Sequence, residues 1–424
     1  MITDPQRGGR SVQAGGAVRD GQAHRILITG GRAPVALELA RLFYKGGHRV
    51  FVAESAKYHL CRVSSAVEAS FRLPSPRHSP QDYIRRLAEL IAELEIDCLI
   101  PTCEEIFYIS AGLEVLNGNG CRVLASDLDM LRRLHHKGEF IAWVRSLGLP
   151  VPQTTLISSA AEWRQMTEDA AAKENQLVYK PAYSRFASKV ILPQHGNDLQ
   201  RSNGHRIPPA PPELSPDAPW VAQEYIRGKA ICTYSIIHEG AVVAHAAYDS
   251  RYRTGQSGAS VYFEHLEHPA VYSWIQRFAG AARGFSGQIG FDFIEAADGR
   301  LYPIECNPRA TSGIHLFVPA DGLEAALLNP GRLVQSGETV LPRSGRTAML
   351  MFPMLGCGLK PGPAGFRGWY RAMRRAADVI SRRDDRRPIL EQLRIVCSAY
   401  KTAGRHGISL TEALTEDIEW NGEA

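Results

Sequence analysis

Apolar and polar positions along this chain follow two different periods and switch between them in a regular order. The run RILITGG, Arg25 to Gly31, is almost continuously apolar and ends in glycines, the pattern of a parallel strand buried on both faces. A helical period follows, with Val35, Leu39, Leu42 and Phe43 on one stripe and Gly46 and Gly47 ending it. HRVFVAES predicts a second strand, IRRLAELIAEL a helix and DCLIPT another strand. Strands alternating with helices predict a doubly wound parallel sheet over residues 24–125.

The character changes at about residue 126. Leu128, Leu131, Leu134, Phe140, Ile141, Val144 and Leu147 read as one helix, stopped by Gly148 and Pro150. A second helical pattern covers Ala161 to Ala172. QLVYKPAY is a strand carrying Lys180, and residues 193–219 are a proline-rich irregular loop. WVAQEYI, AICTYSIIHEG and AVVAHAAYD read as strands, and VYSWIQRFAGAARGF as a helix. QIGFDFIEAADGRLYPIECNPR is a strand pair joined at Ala297-Asp298-Gly299. Beyond residue 335, LMFPMLGCGLKPGPAG reads as turns, and GWYRAMRRAADVISRR and PILEQLRIVCSAYK as helices. The predicted organisation is a flexible leader (1–23), an α/β domain (24–125), an α+β domain (126–335) and a mainly helical C-terminal segment (336–424).

Composition narrows the function classes. With 424 residues, 44% of them hydrophobic and 22% charged, the chain is neither disordered nor collagenous. No apolar run approaches the roughly 18 residues of a membrane span, and the leader lacks the apolar stretch of a signal peptide. A net charge of +5 over this length does not point to nucleic acid. The eight cysteines form no C-x-x-C pair, which argues against zinc and fits reduced thiols in the cytoplasm. Arg367, Arg371, Arg374, Arg375, Arg382, Arg383, Arg386 and Arg387 either bind an acidic partner or form a solvated face, with Asp378, Asp384 and Asp385 diluting them.

The predicted hairpin carries the sharpest chemistry. FDF sets Asp292 on the strand face opposite two aromatics, and IECNPR sets Glu305, Asn307 and Arg309 at alternating positions. Two carboxylates and an amide on one face are hard oxygen ligands suited to Mg²⁺. Arg309 beside them suits a carboxylate or a developing phosphoryl charge. Lys180 ends an apolar strand and Lys137 lies in a helix, each a point charge suited to phosphate oxygens. The segment Gln223 to Gly228 (QEYIRG) offers backbone groups to an adenine edge, with Ile226 on the ring.

In this order, Lys137, YKPAYSRF with Lys180, QEYIRG, GFDFIE and IECNPR resemble the ATP-grasp superfamily. The likeness covers roughly residues 25–330, in the branch of carbamoyl-phosphate synthetase and biotin carboxylase. It implies a Rossmann-like pre-ATP-grasp domain and a two-subdomain ATP-grasp fold holding ATP. By that likeness Lys137, Lys180, Ser184, Gln223, Glu224, Tyr225 and Ile226 contact ATP; Asp292, Glu305 and Asn307 hold Mg²⁺, or Mn²⁺ in its place; and Asn307 and Arg309 serve catalysis. The implied reaction joins a small carboxylate to an amine through an acyl phosphate, in a free-standing enzyme that resembles homodimeric members. The chain departs from the family at AYSRFASK, which has no glycine where a glycine-rich loop covers the phosphates, and at Ala230, where a ribose-holding glutamate is usual. In that loop Ser184, Arg185 and Ser188 offer side-chain donors instead.

Several features stay open. Arg251 and Arg253, in a loop with Gly255 and Gly258, form either a substrate clamp or a solvated loop. Glu104 and Glu105 either bind an amine or stand in the first turn of a helix, favoured by its dipole. Gly30, Gly31 and Glu54 hint at a dinucleotide site, yet TGGRAPVA lacks a third glycine. Cys306 alternates away from the hairpin's acids and reads as a core residue. Trp420 reads as a ring folded back on the protein. A kinase-like or carboxylase-like enzyme that stops at the acyl or carboxy phosphate, and a non-catalytic ATP-binding protein, are the alternative functions.

Overall fold

The computed structural model describes residues 23–118, 120–173, 176–184, 189–193, 208–253, 260–359 and 365–422. The leader up to residue 22, Arg185, Ser188, Gly255 and Gly258 lie outside the described residues, as do residues 194–207 of the proline-rich loop.

The predicted parallel sheet is present. It contains β1 (Arg25–Thr29), β2 (Arg49–Glu54), β3 (Ala69–Arg72), β4 (Cys98–Ile100) and β5 (Arg122–Val123), in the order β3-β2-β1-β4-β5. Alternate residues feed opposite cores. Ile26, Ile28, Val50 and Val52 pack with the helix Pro34–Lys45, while Leu27, Phe51 and Leu99 pack with Tyr83, Leu87 and Ile91 of the helix Pro80–Leu94. The turn after β1 needs glycine: Gly30 has φ +73°, and a Cβ there would lie 2.4 Å from Thr102 Oγ1.

The helix read across residues 128–147 is two helices, Leu128–His135 and Lys137–Ser146. His136 breaks it with extended backbone, and its Nδ1 accepts from Glu139 N at 3.1 Å to cap the second helix. Lys137 therefore opens a helix rather than sitting inside one.

Two sheets follow, antiparallel except where β15 joins β14 in parallel. The smaller has β6 (Thr154–Ile157), β7 (Leu177–Pro181) and β8 (Trp220–Glu224) in the order β6-β8-β7. Residues 225–227 lead from it into a seven-stranded sheet. That sheet holds β9 (Gly228–His238), β10 (Ala241–Asp249), β11 (Tyr262–Leu266), β12 (Gly287–Ala296), β13 (Leu301–Asn307), β14 (Thr347–Met349) and β15 (Ala377–Asp378), ordered β13-β12-β9-β10-β11-β14-β15. Phe291 and Phe293 of β12 point to its covered face, against Phe140, Trp274 and Phe278. Cys306 is buried in that same core.

The C-terminal segment is mainly helical but also extends the large sheet through β14 and β15. Residues Met351–Cys357, read as turns, form a helix. Pro353 is tolerated because it falls in the first turn, where its missing N–H has no helical partner to lose. The run from Gly365 stays helical only to Arg375. Beyond it Val379 and Ile380 are buried, and their carbonyls accept from Arg41 at 2.8 Å each.

Candidate functional site

The hairpin β12–β13 sets Asp292 directly opposite Glu305, so both carboxylates leave one sheet face. The register extends the row: Cys232 of β9 pairs with Asp292 and, on its other side, with Tyr248 of β10. Tyr248, Cys232, Asp292 and Glu305 thus cross four strands side by side. Burial, with the charge of Glu305, pushes Asp292 up to about 6. Burial also pushes the Cys232 thiol up, and the thiol hydrogen-bonds to Asp292. Cys232 and Tyr248 escaped the sequence reading because cross-strand register is not encoded in local alternation.

Asn307 closes the group. Its Nδ2 donates to Glu305 Oε1 at 3.2 Å and to Asp292 Oδ2 at 3.5 Å, and its Oδ1 accepts from Arg309 Nη2 at 3.0 Å. Arg309 Nη1 donates to Ala310 O at 3.3 Å.

Two buried lysines face these acids. Lys137 Nζ lies 3.8 Å from Glu305 Oε2 and donates to Ser184 O at 3.0 Å. Lys180 Nζ donates to Gln223 Oε1 at 2.9 Å and to Ile304 O at 2.8 Å. Burial lowers both ammonium groups, Lys180 to about 8. Burial would raise Glu305, but the charges of Lys137 and Lys180 outweigh it and hold its carboxyl below the usual value. Gln223 itself is buried, and its Nε2 donates to Thr154 Oγ1 at 3.1 Å. Ser184 offers Lys137 its main-chain oxygen rather than its hydroxyl.

Other candidates are placed differently. Glu224 accepts from Gln153 N at 3.0 Å, and Tyr225 N donates to Gln176 O at 2.9 Å, so both brace the end of the small sheet. Ile226 lies in the stretch that joins these two sheets. Arg251 turns to Asp249 and Glu264, at 3.1 and 3.2 Å. Arg253 donates to Ser250 at 3.0 Å, and its charge reaches Asp292. Glu105 turns inward, its Oε1 accepting from Thr29 Oγ1 and from the N–H groups of Thr102 and Cys103. Its neighbour Glu104 is the one whose charge reaches Lys137.

The glycine turn after β1 offers no open ribose contact. Glu54 is bonded to Arg32 and to Ala56 N, and Arg32 also holds Asp417 with two bonds at 2.5 and 2.8 Å. Residues 414–422 cross the carboxyl ends of the parallel strands, where such a fold binds ligands.

Residues 135–313, which contain this cluster, match the family model described as ATP-grasp domain. Over that stretch the chain is similar to ATP-grasp domains. Solved structures share its fold at low identity. L-amino acid ligase from Bacillus licheniformis superposes with a TM-score of 0.54 at 16% identity, over 76% of this chain and 78% of that one. N5-carboxyaminoimidazole synthetase from Staphylococcus aureus, in a complex with ADP, gives 0.55 at 14% identity, over 80% and 86%. The biotin carboxylase domain dimer of the Hydrogenobacter thermophilus 2-oxoglutarate carboxylase, in complex with MgADP, ADP and bicarbonate, gives 0.53 at 12% identity, over 76% and 72%. Among the described residues, no helix is long and apolar enough to cross a membrane.

Proposed function

We propose that the protein is an ATP-dependent ligase that activates a carboxylate as an acyl phosphate and joins it to an amine, releasing ADP and phosphate. The observation that carries this reading is the placement of two buried lysines, Lys137 and Lys180, against the paired acids Asp292 and Glu305. Buried cations aimed at a polyanion, beside acids able to hold a metal, are what in-line phosphoryl transfer needs.

The acids suit magnesium. Burial, and after it the charge of Glu305, raises Asp292, and a divalent cation would offset both. Two carboxylates and one amide leave further positions for water and phosphate oxygens, as Mg²⁺ prefers. Among the described residues no group of three or more His, Cys, Asp or Glu forms a closed metal cage. Asp292, Glu305 and Asn307 would hold the cation, with Mn²⁺ able to replace it, and when bound it would offset charge on the phosphates.

In this reading Lys137 and Lys180 hold phosphate oxygens, and Ser184 lines the same pocket. Gln223, Glu224, Tyr225 and Ile226 form the adenine edge where the two sheets join. Arg309, already oriented by Asn307, holds the substrate carboxylate. A carboxylate oxygen attacks the γ-phosphorus as the bond to ADP breaks; the amine nitrogen then attacks the acyl carbon, phosphate leaves, and the amine loses its proton. The charge of Arg253 acts on Asp292 and that of Glu104 on Lys137, which supports these two over Arg251 and Glu105 as substrate contacts. The free thiols fit a cytoplasmic enzyme, and a homodimer, testable by light scattering, belongs to the same proposal.

The test is release of ADP and phosphate from Mg²⁺-ATP against a panel of carboxylic acids, with and without pooled amines. Release that needs both an acid and an amine supports the ligase. Release with acid alone assigns an enzyme that stops at the acyl phosphate. Absence of ATP binding by calorimetry overturns the reading.

A further inference from the structure

Lys137 holds one turn of chain through two hydrogen bonds. Its main-chain N–H donates to Ala182 O at 3.0 Å and its ammonium donates to Ser184 O at 3.0 Å. The residue between, Tyr183, packs its ring edge-on to His136, with centroids 4.9 Å apart, and meets residues 414–422. The Trp420 ring stands edge-on to Tyr183, with centroids 5.1 Å apart at 74°. Gly422 lies so close to the Tyr183 ring that a Cβ there would be 2.5 Å away. The turn is therefore held between Lys137 and Trp420.

Trp420 is itself fixed. It is 2% exposed and stacks on Phe107 at 4.3 Å and 10°. Its main-chain N–H faces Glu104 Oε2 at 3.5 Å, and the charge of Glu104 acts on Lys137. On either side, Tyr108 Oη donates to Glu419 O at 2.8 Å and Arg132 Nη2 to Gly422 O at 2.9 Å. Further back, Asp417 is anchored by Arg32 and by Ser55 Oγ at 2.7 Å, and its carbonyl by Ser75 Oγ at 2.8 Å.

We infer that residues 414–422 are a strap and that Trp420 is a positioning residue of the nucleotide site, acting through Tyr183 and Glu104 to fix where the Lys137 ammonium points. The inference rests on the nucleotide reading of the site. In place of a glycine-rich segment free to fold over phosphates, AYSRFASK starts from a turn clamped on both sides. The strap prepays the ordering of that turn, so less is lost when the anion binds.

The experiment uses the full chain and compares wild type, Trp420→Ala and Trp420→Phe. Amide hydrogen exchange is read over residues 177–184 and, as a control, over 35–43. Magnesium with adenylyl imidodiphosphate is titrated calorimetrically, and KM for ATP is measured wherever turnover is found. Trp420→Ala is expected to speed exchange at 177–184 about tenfold with the control unchanged, and to raise Kd and KM for nucleotide more than it lowers kcat. Trp420→Phe, which keeps an aromatic ring on Phe107, is expected to restore all three. Unchanged exchange at 177–184, or equal acceleration at 35–43, overturns the strap. Where Trp420→Ala does not fold, Tyr108→Phe releases the Glu419 carbonyl and the same exchange comparison decides. A wild type that binds no nucleotide sinks the functional reading, while the exchange result still decides the strap.

Discussion

Lys137 Nζ lies 3.8 Å from Glu305 Oε2 while donating to the carbonyl of Ser184, so one buried ammonium joins the acidic hairpin to the turn that follows β7. The two groups fix each other's charge. Burial pulls Lys137 toward neutrality, and Glu305 opposes it; burial pushes Glu305 toward neutrality, and the lysines opposite more than reverse it.

Glu305→Gln keeps the shape and the bulk of the side chain while removing its charge. Turnover is expected to fall by at least about 100-fold, the usual cost of losing one preorganised electrostatic group. Circular dichroism should remain that of the wild type. A variant that retains wild-type phosphate release would sink the metal assignment.

Lys180→Met tests the second lysine through stability. The methionine fills similar volume but leaves Gln223 Oε1 and Ile304 O without the donor that each has at 2.9 and 2.8 Å. Leaving buried acceptors unpaired costs about 1–3 kcal/mol, so the urea midpoint should drop and nucleotide affinity should drop with it. An unchanged midpoint would mean that neither acceptor depends on Lys180.

Much of this site was legible because its residues sit at alternating positions of one hairpin. Asp292 among phenylalanines and Glu305, Asn307 and Arg309 two apart show their face without any tertiary knowledge. Cys232 did not show, because its place beside Asp292 depends on the β9–β12 register, set between strands some 60 residues apart. The break at His136 was hidden because apolar spacing continues through it, while the cap that makes the break is one side-chain bond. The helix Met351–Cys357 was read as turns from its Pro and Gly content, although a proline in a first turn costs little. Trp420 meets Phe107 across more than 300 residues, a contact that no local pattern announces.

His245 should give the protein a specific acid weakness. It is 5% exposed, its Nδ1 pairs with Ser235 Oγ at 3.0 Å, and burial, with a smaller push from His265, lowers it to about 3. The folded chain therefore keeps His245 neutral where the unfolded chain, with a pKa near 6.5, takes up a proton. Stability falls as pH drops from about 6.5 toward 3, by up to about 1.4 kcal/mol per pH unit. His245→Phe removes this dependence. Its destabilisation relative to wild type should shrink by about 2 kcal/mol between pH 7 and pH 4.5 in urea titrations. A constant difference would show that His245 does not govern the acid limb.

Asp417 ties the strap to the parallel sheet, and its worth depends on what remains when it is lost. Arg32 is nearly buried and shared between Glu54 and Asp417, with closest approaches of 2.5 Å to each. Removing the sole partner of a buried charge costs about 3–5 kcal/mol. Here Glu54 still faces the guanidinium, so Asp417→Asn should cost less, about 1–3 kcal/mol. Glu54→Gln leaves Asp417, which is more exposed than Glu54, as the remaining counter-charge. It should therefore be the more damaging single change. The double variant leaves Arg32 with no carboxylate and should lose more than the sum of the two, because each acid compensates for the other's absence. Urea unfolding of the four proteins measures this coupling. Simple additivity would mean that Arg32 relies on only one of the acids, and the anchoring of residues 414–422 would then pass to Trp420 and the main-chain bonds beside it.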